Sequence, residues 1–338
     1  MGDTVLVTGG TGFVAGWCIV ELLRNGHSVR ATLRDPAKAQ SVRDAVARVV
    51  DPGDRLQFVT ADLMFDQGWD DAVAGCRYVL HVASPLTATR DEGRVIRPAV
   101  DGVLRVLRAS RDAGVQRVVF TSSCGAVYYG HPSRDEPFDE SDWTDVETGQ
   151  MSAYVKSKAL AERAAWKFIA DEGNGLEFTA INPTGIFGPA LSAGSVSSLG
   201  LIQRLLNGMP ACPDLWMCIV DVRDVADLHL RAMTAPMAGQ RYIANASGPI
   251  SMLDIARELR GGLGEYASRV PLRRMPDWIV RLLGRFNVQM NDLVPLLGQR
   301  RNASAAKAQR ELGWRGRSWR ETVVASARSL IDLGVPVS

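Results

Sequence analysis

A glycine-rich turn near the start of the chain constrains the fold more than any other feature of the sequence. It spans residues 9–12, directly after a short apolar run and directly before a helical pattern at residues 13–25. Gly9 permits a tight turn, Gly12 lets the backbone approach a pyrophosphate closely, and Ala15 lets the helix pack against the strand. N–H groups at the start of such a helix attract anions. An ordinary turn between a strand and a helix is the alternative, but the position favours a dinucleotide site with contacts at Gly9, Gly12, Phe13 and Val14.

Apolar runs and helical patterns alternate through the first half of the chain. Strands separated by helices form βαβ units, and such units build a parallel sheet covered by helices on both faces. The right-handed crossover rule makes a doubly wound sheet, the Rossmann fold of the α/β class, the expected topology. The predicted strands are residues 5–8, 28–33, 56–60, 78–82, 117–122 and 177–181, and the predicted helices are residues 13–25, 37–48, 92–113 and 151–171.

The pattern changes after Pro183, where the chain becomes rich in glycine, serine and proline. Residues 220–233 predict the end of a strand followed by a helix. Further helices are predicted at residues 197–207, 251–262, 276–285, 303–311 and 318–332. We therefore predict a dinucleotide-binding domain at residues 1–184, to which residues 215–245 return, and a smaller, mostly helical substrate-binding lobe at residues 185–214 and 246–338.

Length, composition and charge are those of an ordinary globular protein. The 338 residues suffice for one large domain or two fused units, and a net charge of +2 gives no electrostatic reason to expect nucleic acid or a membrane surface as a partner. Five scattered cysteines, no visible targeting segment and no long apolar stretch predict a reduced, cytoplasmic location. The four histidines do not cluster, and we predict no metal site.

The residues after the second predicted strand indicate which cofactor binds. An acidic residue there usually holds the ribose 2′-hydroxyl of NAD, whereas an arginine accommodates the 2′-phosphate of NADP. The sequence reads Arg34-Asp35-Pro36, and Asp followed by Pro is typical of a helix N-cap and the first helical residue. We therefore expect NADP(H), with Arg34 at the 2′-phosphate and Lys38 as a second cation. Alternatively, Arg34 is a solvated surface charge.

Two further strand ends are expected at the cofactor. Asp62, followed by Leu63, ends the third strand, where an acid accepts a hydrogen bond from the adenine amino group or, equally, caps the next short helix. Small residues suit the end of the fourth strand, where the backbone must pass close to the cofactor. These residues are Val82, Ala83 and Ser84.

A tyrosine and a lysine lie four residues apart near the start of the helical stretch at 151–171. The spacing places Tyr154 and Lys158 on one helix face. A nearby ammonium lowers the pKa of a phenol from about 10, so Tyr154 is expected to protonate an alkoxide while hydride arrives from a nicotinamide. Ser123 ends the fifth strand and is expected to donate to the substrate carbonyl oxygen. Singly, these residues fit a solvated helix face and a strand-end cap; together they predict a catalytic constellation.

These motifs, in this order along nearly the whole chain, resemble the extended short-chain dehydrogenase/reductase superfamily. Within it, the chain is most similar to dihydroflavonol 4-reductases and cinnamoyl-CoA reductases, including the microbial aldehyde and ketone reductases of that group. The resemblance implies a triad of Ser123, Tyr154 and Lys158 and NADP(H) held by Arg34. It also implies contacts on the nicotinamide side from Pro183, Thr184 and Ile186, and a further cofactor contact from Ser198. The matching segments are residues 7–13, 29–36, 119–123, 154–162, 183–189, 221–226 and 306–314.

Three residues bear on the substrate. Tyr128 occupies the position where plant flavonoid reductases usually carry a polar amide, which argues against a flavonoid substrate. Trp216 and Met217 are expected either to line the substrate pocket or to pack between lobes. Cys124, beside Ser123, is either a reactive thiol or a packed strand-end cysteine, and packing is favoured.

The predicted function is NADPH-dependent reduction of an aldehyde or ketone to an alcohol. We expect a small-molecule carbonyl substrate and a monomer or homodimer. One alternative is an NAD-dependent nucleotide-sugar epimerase or dehydratase, against which Arg34 and the apolar segment 210–218 argue. The other is a non-catalytic NADP-binding regulatory protein, which has little reason to keep Ser123, Tyr154 and Lys158 together.

Overall fold

A seven-stranded parallel sheet forms the centre of the molecule. The computed structural model describes residues 2–85, 91–132, 134–148, 151–195, 199–286 and 288–336. The strands in chain order are β1 (Thr4–Val7), β2 (Ser28–Leu33), β3 (Leu56–Thr60), β4 (Tyr78–His81), β5 (Arg117–Thr121), β6 (Glu177–Pro183), β7 (Gly185–Phe187), β8 (Trp216–Met217), β9 (Ile219–Asp221), β10 (Gln240–Ala244) and β11 (Ile250–Ser251). The central sheet has the order β10-β6-β5-β4-β1-β2-β3.

Helices cover both faces of this sheet. The helices of the described residues are α1 (Phe13–Arg24), α2 (Ala39–Ala47), α3 (Trp69–Val73), α4 (Gly93–Asp112), α5 (Ala153–Glu172), α6 (Gly200–Leu206), α7 (Val222–Thr234), α8 (Met252–Leu263), α9 (Asp277–Gly284), α10 (Val288–Leu293), α11 (Ala306–Leu312) and α12 (Trp319–Asp332), of which α9 and α10 pack with each other in a separate cluster. The predicted doubly wound α/β fold is therefore confirmed.

Alternating side chains along the strands build a separate hydrophobic core on each face. Leu6 and Val118 pack with α4 and α5 on one face, whereas Val5 and Val119 pack with α1 and α7 on the other. Successive side chains of a strand point to opposite faces, so strands buried on both sides are apolar throughout. This is why short continuous apolar runs predicted these strands correctly.

The strand order creates a crevice at one edge of the sheet. The chain passes from β1 to β2 on one side and continues at β4 on the other side of β1. Loops at the carboxyl ends of β1 and β4 therefore diverge, and doubly wound folds bind ligands at such a switch point.

Several boundaries and elements differ from the predictions. The predicted helix at 37–48 is a 3₁₀ turn at Pro36–Lys38 followed by α2. The predicted helix at 197–207 corresponds to α6, which Leu199 precedes as N-cap; residues 197–198 lie outside the described part of the chain. A short helix after β3 was expected only as an alternative at Asp62 and without bounds, because the five-residue helix α3 is too short to show a helical period. β10 was not predicted as a seventh strand, because Arg241 interrupts its apolar run.

The region after β6 packs against the sheet through shared hydrophobic residues. Ile202 of α6, Ile255 of α8 and Val323 of α12 belong to the same core as α1 and α7. Two short pairs, β7 with β9 and β8 with β11, lie outside the main sheet. The division into a dinucleotide-binding domain and a substrate-binding lobe stays a prediction. Among the described helices, none combines the length and the apolar character needed to cross a bilayer.

Candidate active site

The glycine-rich turn is shaped by its own hydrogen bonds and by two neighbouring strand ends. Gly9 adopts a left-handed φ of 71°, and its N–H donates to Thr32 Oγ1 at the end of β2 over 2.8 Å. The N–H of Gly12 donates to the Gly9 carbonyl over 2.8 Å and starts α1. A Cβ added to Gly9 would lie 3.0 Å from the Cβ of Ala83, just after β4. The turn therefore leaves a cradle that a side chain would fill, as a pyrophosphate site requires.

A threonine and a histidine fix the end of β4 against β1. Thr8 Oγ1 accepts hydrogen bonds from the N–H groups of Val82 and Ala83 over 3.0 and 2.9 Å. Its hydroxyl proton is then left for His81 Nδ1, at 2.9 Å. Burial, reinforced by the charge of Lys158, lowers the pKa of His81 to about 3. His81 is thus a neutral, hydrogen-bonded core residue.

The residues after β2 divide between a cap and exposed cations. Asp35 accepts a hydrogen bond from the Ala37 N–H over 3.0 Å and caps the 3₁₀ turn that begins at Pro36. The expected capping role of Asp35 is therefore confirmed. Arg34, which precedes this turn, and Lys38, which is its last residue, are both exposed. Both side chains are available to a ligand that reaches the carboxyl end of β2.

Asp62 caps a turn, which decides part of the alternative left open by the sequence. Its Oδ1 accepts a hydrogen bond from the Met64 N–H over 3.0 Å. The next helix after Asp62 begins only at Trp69. Of the two roles left open for Asp62, the cap of the next helix is therefore wrong, and the contact with adenine stays a prediction. Leu63 is buried in the core next to Gly102 of α4, so its side chain faces the core.

Ser123 and Tyr154 meet at the carboxyl end of β5. Ser123 Oγ accepts a hydrogen bond from the Gly125 N–H over 3.0 Å. A hydrogen bond with Ser123 also acts on the Tyr154 hydroxyl and lowers its pKa. Tyr154 is placed by the start of α5, where the Ser152 side chain accepts from the Val155 N–H. The first turn of α5 thus presents the phenol to the strand end, and Tyr154 is 42% exposed.

Lys158 lies one turn further along α5 and is buried. Its Nζ donates to the Thr121 carbonyl over 3.3 Å. Burial lowers the pKa of Lys158 to about 8, and the carboxylate of Glu162 opposes this shift. The sequence predicted that Lys158 would lower the pKa of Tyr154. The pKa of Tyr154 is instead raised, because loss of water around the phenol outweighs its hydrogen bond with Ser123.

Beneath these residues lies a buried polar cluster, here the Glu162 cluster, which consists of Ser122, Glu162, Asn182 and Arg241. Glu162 is fully buried and accepts from Ser122 Oγ over 2.5 Å, Asn182 Nδ2 over 2.7 Å and Arg241 Nε over 2.7 Å. Arg241 also donates to three backbone carbonyls, and its guanidinium carbon lies 3.8 Å from the centre of the Trp143 ring. The cluster joins α5 to β5, β6 and β10. Glu162 follows Lys158 by one helical turn, a signal that was overlooked in the sequence.

Comparison with known proteins assigns the chain to a family. A model of the NAD dependent epimerase/dehydratase family matches residues 5–246, from β1 to just beyond β10. The chain belongs to this family. It is 38% identical to dihydroflavonol 4-reductase of Hordeum vulgare over 276 residues, which are 78% of this chain and 75% of that protein. It is 36% identical to cinnamoyl-CoA reductase CAD2 of Medicago truncatula over 249 residues, which are 72% and 76% of the two chains.

A solved structure extends the likeness of this epimerase/dehydratase family member over the whole chain. Yeast methylglyoxal/isovaleraldehyde reductase Gre2, complexed with NADPH, superimposes with a TM-score of 0.82 at 25% identity and covers 98% of this chain and 99% of that one. The resemblance to extended short-chain dehydrogenase/reductases of the dihydroflavonol and cinnamoyl-CoA reductase group is therefore confirmed.

The remaining predicted cofactor positions in the described residues lie at the end of β6, within β7 and after β4. Pro183 ends β6, and Thr184 Oγ1 donates to the Ala244 carbonyl over 3.3 Å. Ile186 is half-buried in β7. Ser84 is half-buried after β4. The predicted contact at Ser198 lies outside the described residues.

The predicted substrate-lining residues occupy two segments. Tyr128 is half-buried, with its ring centre 5.1 Å from that of Tyr129. Trp216 and Met217 form β8 and are half-buried. Trp216 Nε1 donates to Asp214 over 2.9 Å, and its ring lies against the guanidinium of Arg300. Trp216 therefore does not belong to the dry core.

Cys124 is packed, as the sequence favoured. It is 1% exposed, and its Sγ lies 3.2 Å from the Asn182 carbonyl oxygen. Burial raises the pKa of the Cys124 thiol well above its ordinary value. A thiol held in this protonated form is a poor nucleophile, so the alternative of a reactive cysteine is wrong.

Proposed function

We propose that this protein reduces an aldehyde or ketone to an alcohol with NADPH, and that Ser123, Tyr154 and Lys158 carry the reaction. The observation behind the proposal is the meeting of three polar side chains at one strand end. The Ser123 side chain lowers the pKa of the Tyr154 phenol, and Lys158 donates to the carbonyl of Thr121, two residues before Ser123. The names of the relatives, dihydroflavonol 4-reductase and cinnamoyl-CoA reductase, support a reductase.

The residues around the switch point fit a nicotinamide dinucleotide phosphate. Gly9 and Gly12 leave room for a pyrophosphate at the start of α1. Arg34 and Lys38 are exposed where a ribose 2′-phosphate would be recognised. When bound, NADPH would supply the hydride.

The hydroxyl groups of Ser123 and Tyr154 then act on the carbonyl oxygen. Ser123 Oγ accepts the Gly125 N–H, so its own proton points away from that bond and can be donated to the carbonyl oxygen of a substrate placed between Ser123 and Tyr154. The pKa of Tyr154 lies above its ordinary value, so the phenol holds its proton at neutral pH. As the carbonyl carbon gains hydride, its oxygen takes that proton and the C=O bond becomes an alcohol. The buried ammonium of Lys158 favours the phenolate that remains, and water restores the proton.

The test measures NADPH and NADH oxidation with a panel of aldehydes, aryl ketones, β-keto esters and a dihydroflavonol. We expect turnover with NADPH. Tyr154→Phe should lower kcat about 10²- to 10⁴-fold, because it removes only the proton donor, while NADPH binding measured by fluorescence is kept. The matched control is Tyr266→Phe, since Tyr266 is 67% exposed and lies in a different region; it should keep full activity.

Two outcomes would contradict this proposal. Undiminished turnover by Tyr154→Phe would remove Tyr154 from the chemistry. Protein that purifies with tightly held NAD, and that converts a nucleotide sugar without net cofactor consumption, would favour the epimerase alternative.

A further inference from the structure

Two consecutive arginines lie against aromatic rings beside the proposed site. The guanidinium carbon of Arg301 lies 4.7 Å from the centre of the Tyr129 ring, and that of Arg300 lies 3.9 Å from the centre of the Trp216 ring. Tyr129 follows the 3₁₀ turn Cys124–Ala126, which Ser123 caps and which lies against Val155 at the start of α5. Arg301 is therefore connected to the Ser123 end of the proposed site through one aromatic side chain.

The backbone of Arg301 is fixed next to the segment that contains Trp216. The Sγ of Cys218 lies 3.4 Å from the Arg301 carbonyl oxygen. Two residues further on, Ala303 forms a bridge with Phe138, whose ring packs against Tyr128. Arg301 thus connects the two segments that were predicted from sequence to line the substrate pocket.

Among the residues that the structure describes, neither guanidinium has a partner for its hydrogen-bond donors. Over the described part of the chain, no carboxylate lies within ion-pair distance of Arg300 or Arg301, and the contacts of both groups are with ring faces. Arg241, by contrast, pairs with Glu162. A guanidinium stacked on a ring keeps five N–H donors in its own plane. Arg301 is only half-exposed, so donors without a protein acceptor there need a ligand or water.

We infer that Arg301 binds an anionic group of the substrate, so the preferred substrates are carbonyl compounds that also carry a carboxylate or a phosphate. This inference rests on the proposed reductase function and specifies its substrate class. An arginine recognises either anion through two parallel N–H···O bonds. The aromatic rings of Tyr129 and Trp216 supply flat, partly apolar walls beside the cation. Arg300 adds a second, more exposed positive charge.

Three matched aldehydes test the inference: 4-formylbenzoate, its neutral methyl ester and 4-formylphenyl phosphate. A charge-assisted hydrogen bond to an anion should favour the charged aldehydes over the ester about 10- to 100-fold in kcat/KM. The ratio of carboxylate to phosphate shows which anion fits. In Arg301→Gln, the ratio of kcat/KM for a charged aldehyde to kcat/KM for the ester should fall close to one, mainly because KM for the charged aldehyde rises. Arg301→Lys should keep part of the preference. The control is Arg328→Gln, an exposed arginine on α12, which should leave the preference unchanged.

A binding measurement separates this inference from the proposed function. Titration calorimetry with 4-formylbenzoate in the presence of NADP⁺ needs no turnover, and we expect binding that Arg301→Gln weakens about tenfold or more. An equal loss for ester and carboxylate in Arg301→Gln, a preference for the ester in the unaltered protein, or binding insensitive to Arg301 would each overturn the inference. Anion binding at Arg301 without reduction of any carbonyl compound would instead overturn the proposed function alone.

Discussion

Ser122 and Ser123 are neighbours in the chain, yet their hydroxyl groups face two different environments. Ser122 is 3% exposed, and its Oγ donates to Glu162 in a cluster where each charge has a partner. Ser123 is half-exposed, and its Oγ meets Tyr154 at the crevice. The alternation of side chains at the end of β5 directs the two hydroxyl groups to opposite sides.

The Glu162 cluster and the crevice at the end of β5 have different roles. Residues of the cluster stabilise the fold, whereas residues of the crevice are available for chemistry. In the Glu162 cluster the buried ion pair is compensated from several directions, as burial of charge requires. On the crevice side, the proton of Ser123, the ammonium of Lys158 and the guanidinium of Arg301 retain donors for a ligand. Asn182 links the two sides, because its Nδ2 donates both to Glu162 and to the Ser123 carbonyl.

The largest effect is expected from breaking the buried pair. Arg241→Met removes one partner of a pair in which Arg241 and Glu162 are both buried. Because it leaves an uncompensated carboxylate, we expect a loss of about 3–5 kcal/mol in the free energy of unfolding, measured in urea. Replacing both partners, as Arg241→Met with Glu162→Leu, should restore much of this loss.

An exposed ion pair provides the control for that experiment. Arg257, which pairs with Asp254 over 2.9 Å, has 61% of its side chain exposed. Arg257→Met should cost less than about 1 kcal/mol, because solvent screens such pairs. Equal losses for Arg241→Met and Arg257→Met would show that the Glu162 cluster contributes no more than a surface pair.

The two serines provide the next test, since the same substitution should reduce activity at one position and stability at the other. Ser123→Ala should lower kcat about 100-fold through the loss of one donor to the carbonyl oxygen, with little change in stability. Ser122→Ala should reduce the free energy of unfolding by about 1–3 kcal/mol, because it removes a buried donor to Glu162. Urea unfolding and steady-state kinetics on both variants decide the matter. A larger loss of kcat in Ser122→Ala than in Ser123→Ala would reverse the assignment.

Features that depend on near neighbours in the chain were predictable from sequence. The turn at Gly9 and Gly12, the cap at Asp35 and six of the central strands follow from residues a few positions apart. The Glu162 cluster did not, since Arg241 reaches Glu162 across 79 positions. Arg301 and Tyr129 are even further apart in sequence, so no local pattern could indicate their contact.

The predicted pKa of Tyr154 failed for a related reason. The spacing of Tyr154 and Lys158 correctly placed both on α5 near the end of β5. Spacing alone, however, contains no information on burial, and burial sets the pKa values here. Burial raises the pKa of Tyr154 and lowers that of Lys158. Attraction between a phenolate and an ammonium in water would shift both pKa values in the opposite directions.

The smallest effect is expected in the pH dependence of kcat/KM, which connects Lys158 at the crevice with the Glu162 cluster. Lys158 has a pKa of about 8, so its ammonium is present below this pH and is lost above it. The pKa of Tyr154 lies higher than its ordinary value, so the phenol keeps its proton in the same range. We therefore expect kcat/KM to fall about tenfold per pH unit above about 8, with Lys158 as the group that titrates.

Two substitutions sharpen this assignment, one on each side of the strand end. Lys158→Arg carries a charge that persists above pH 12 or so, so any activity it retains should lack the fall near pH 8. Glu162→Gln removes the carboxylate that favours the ammonium, so the fall should move to lower pH. A fall that stays at the same pH in both variants would assign it to another group and would leave the Glu162 cluster without influence on the crevice.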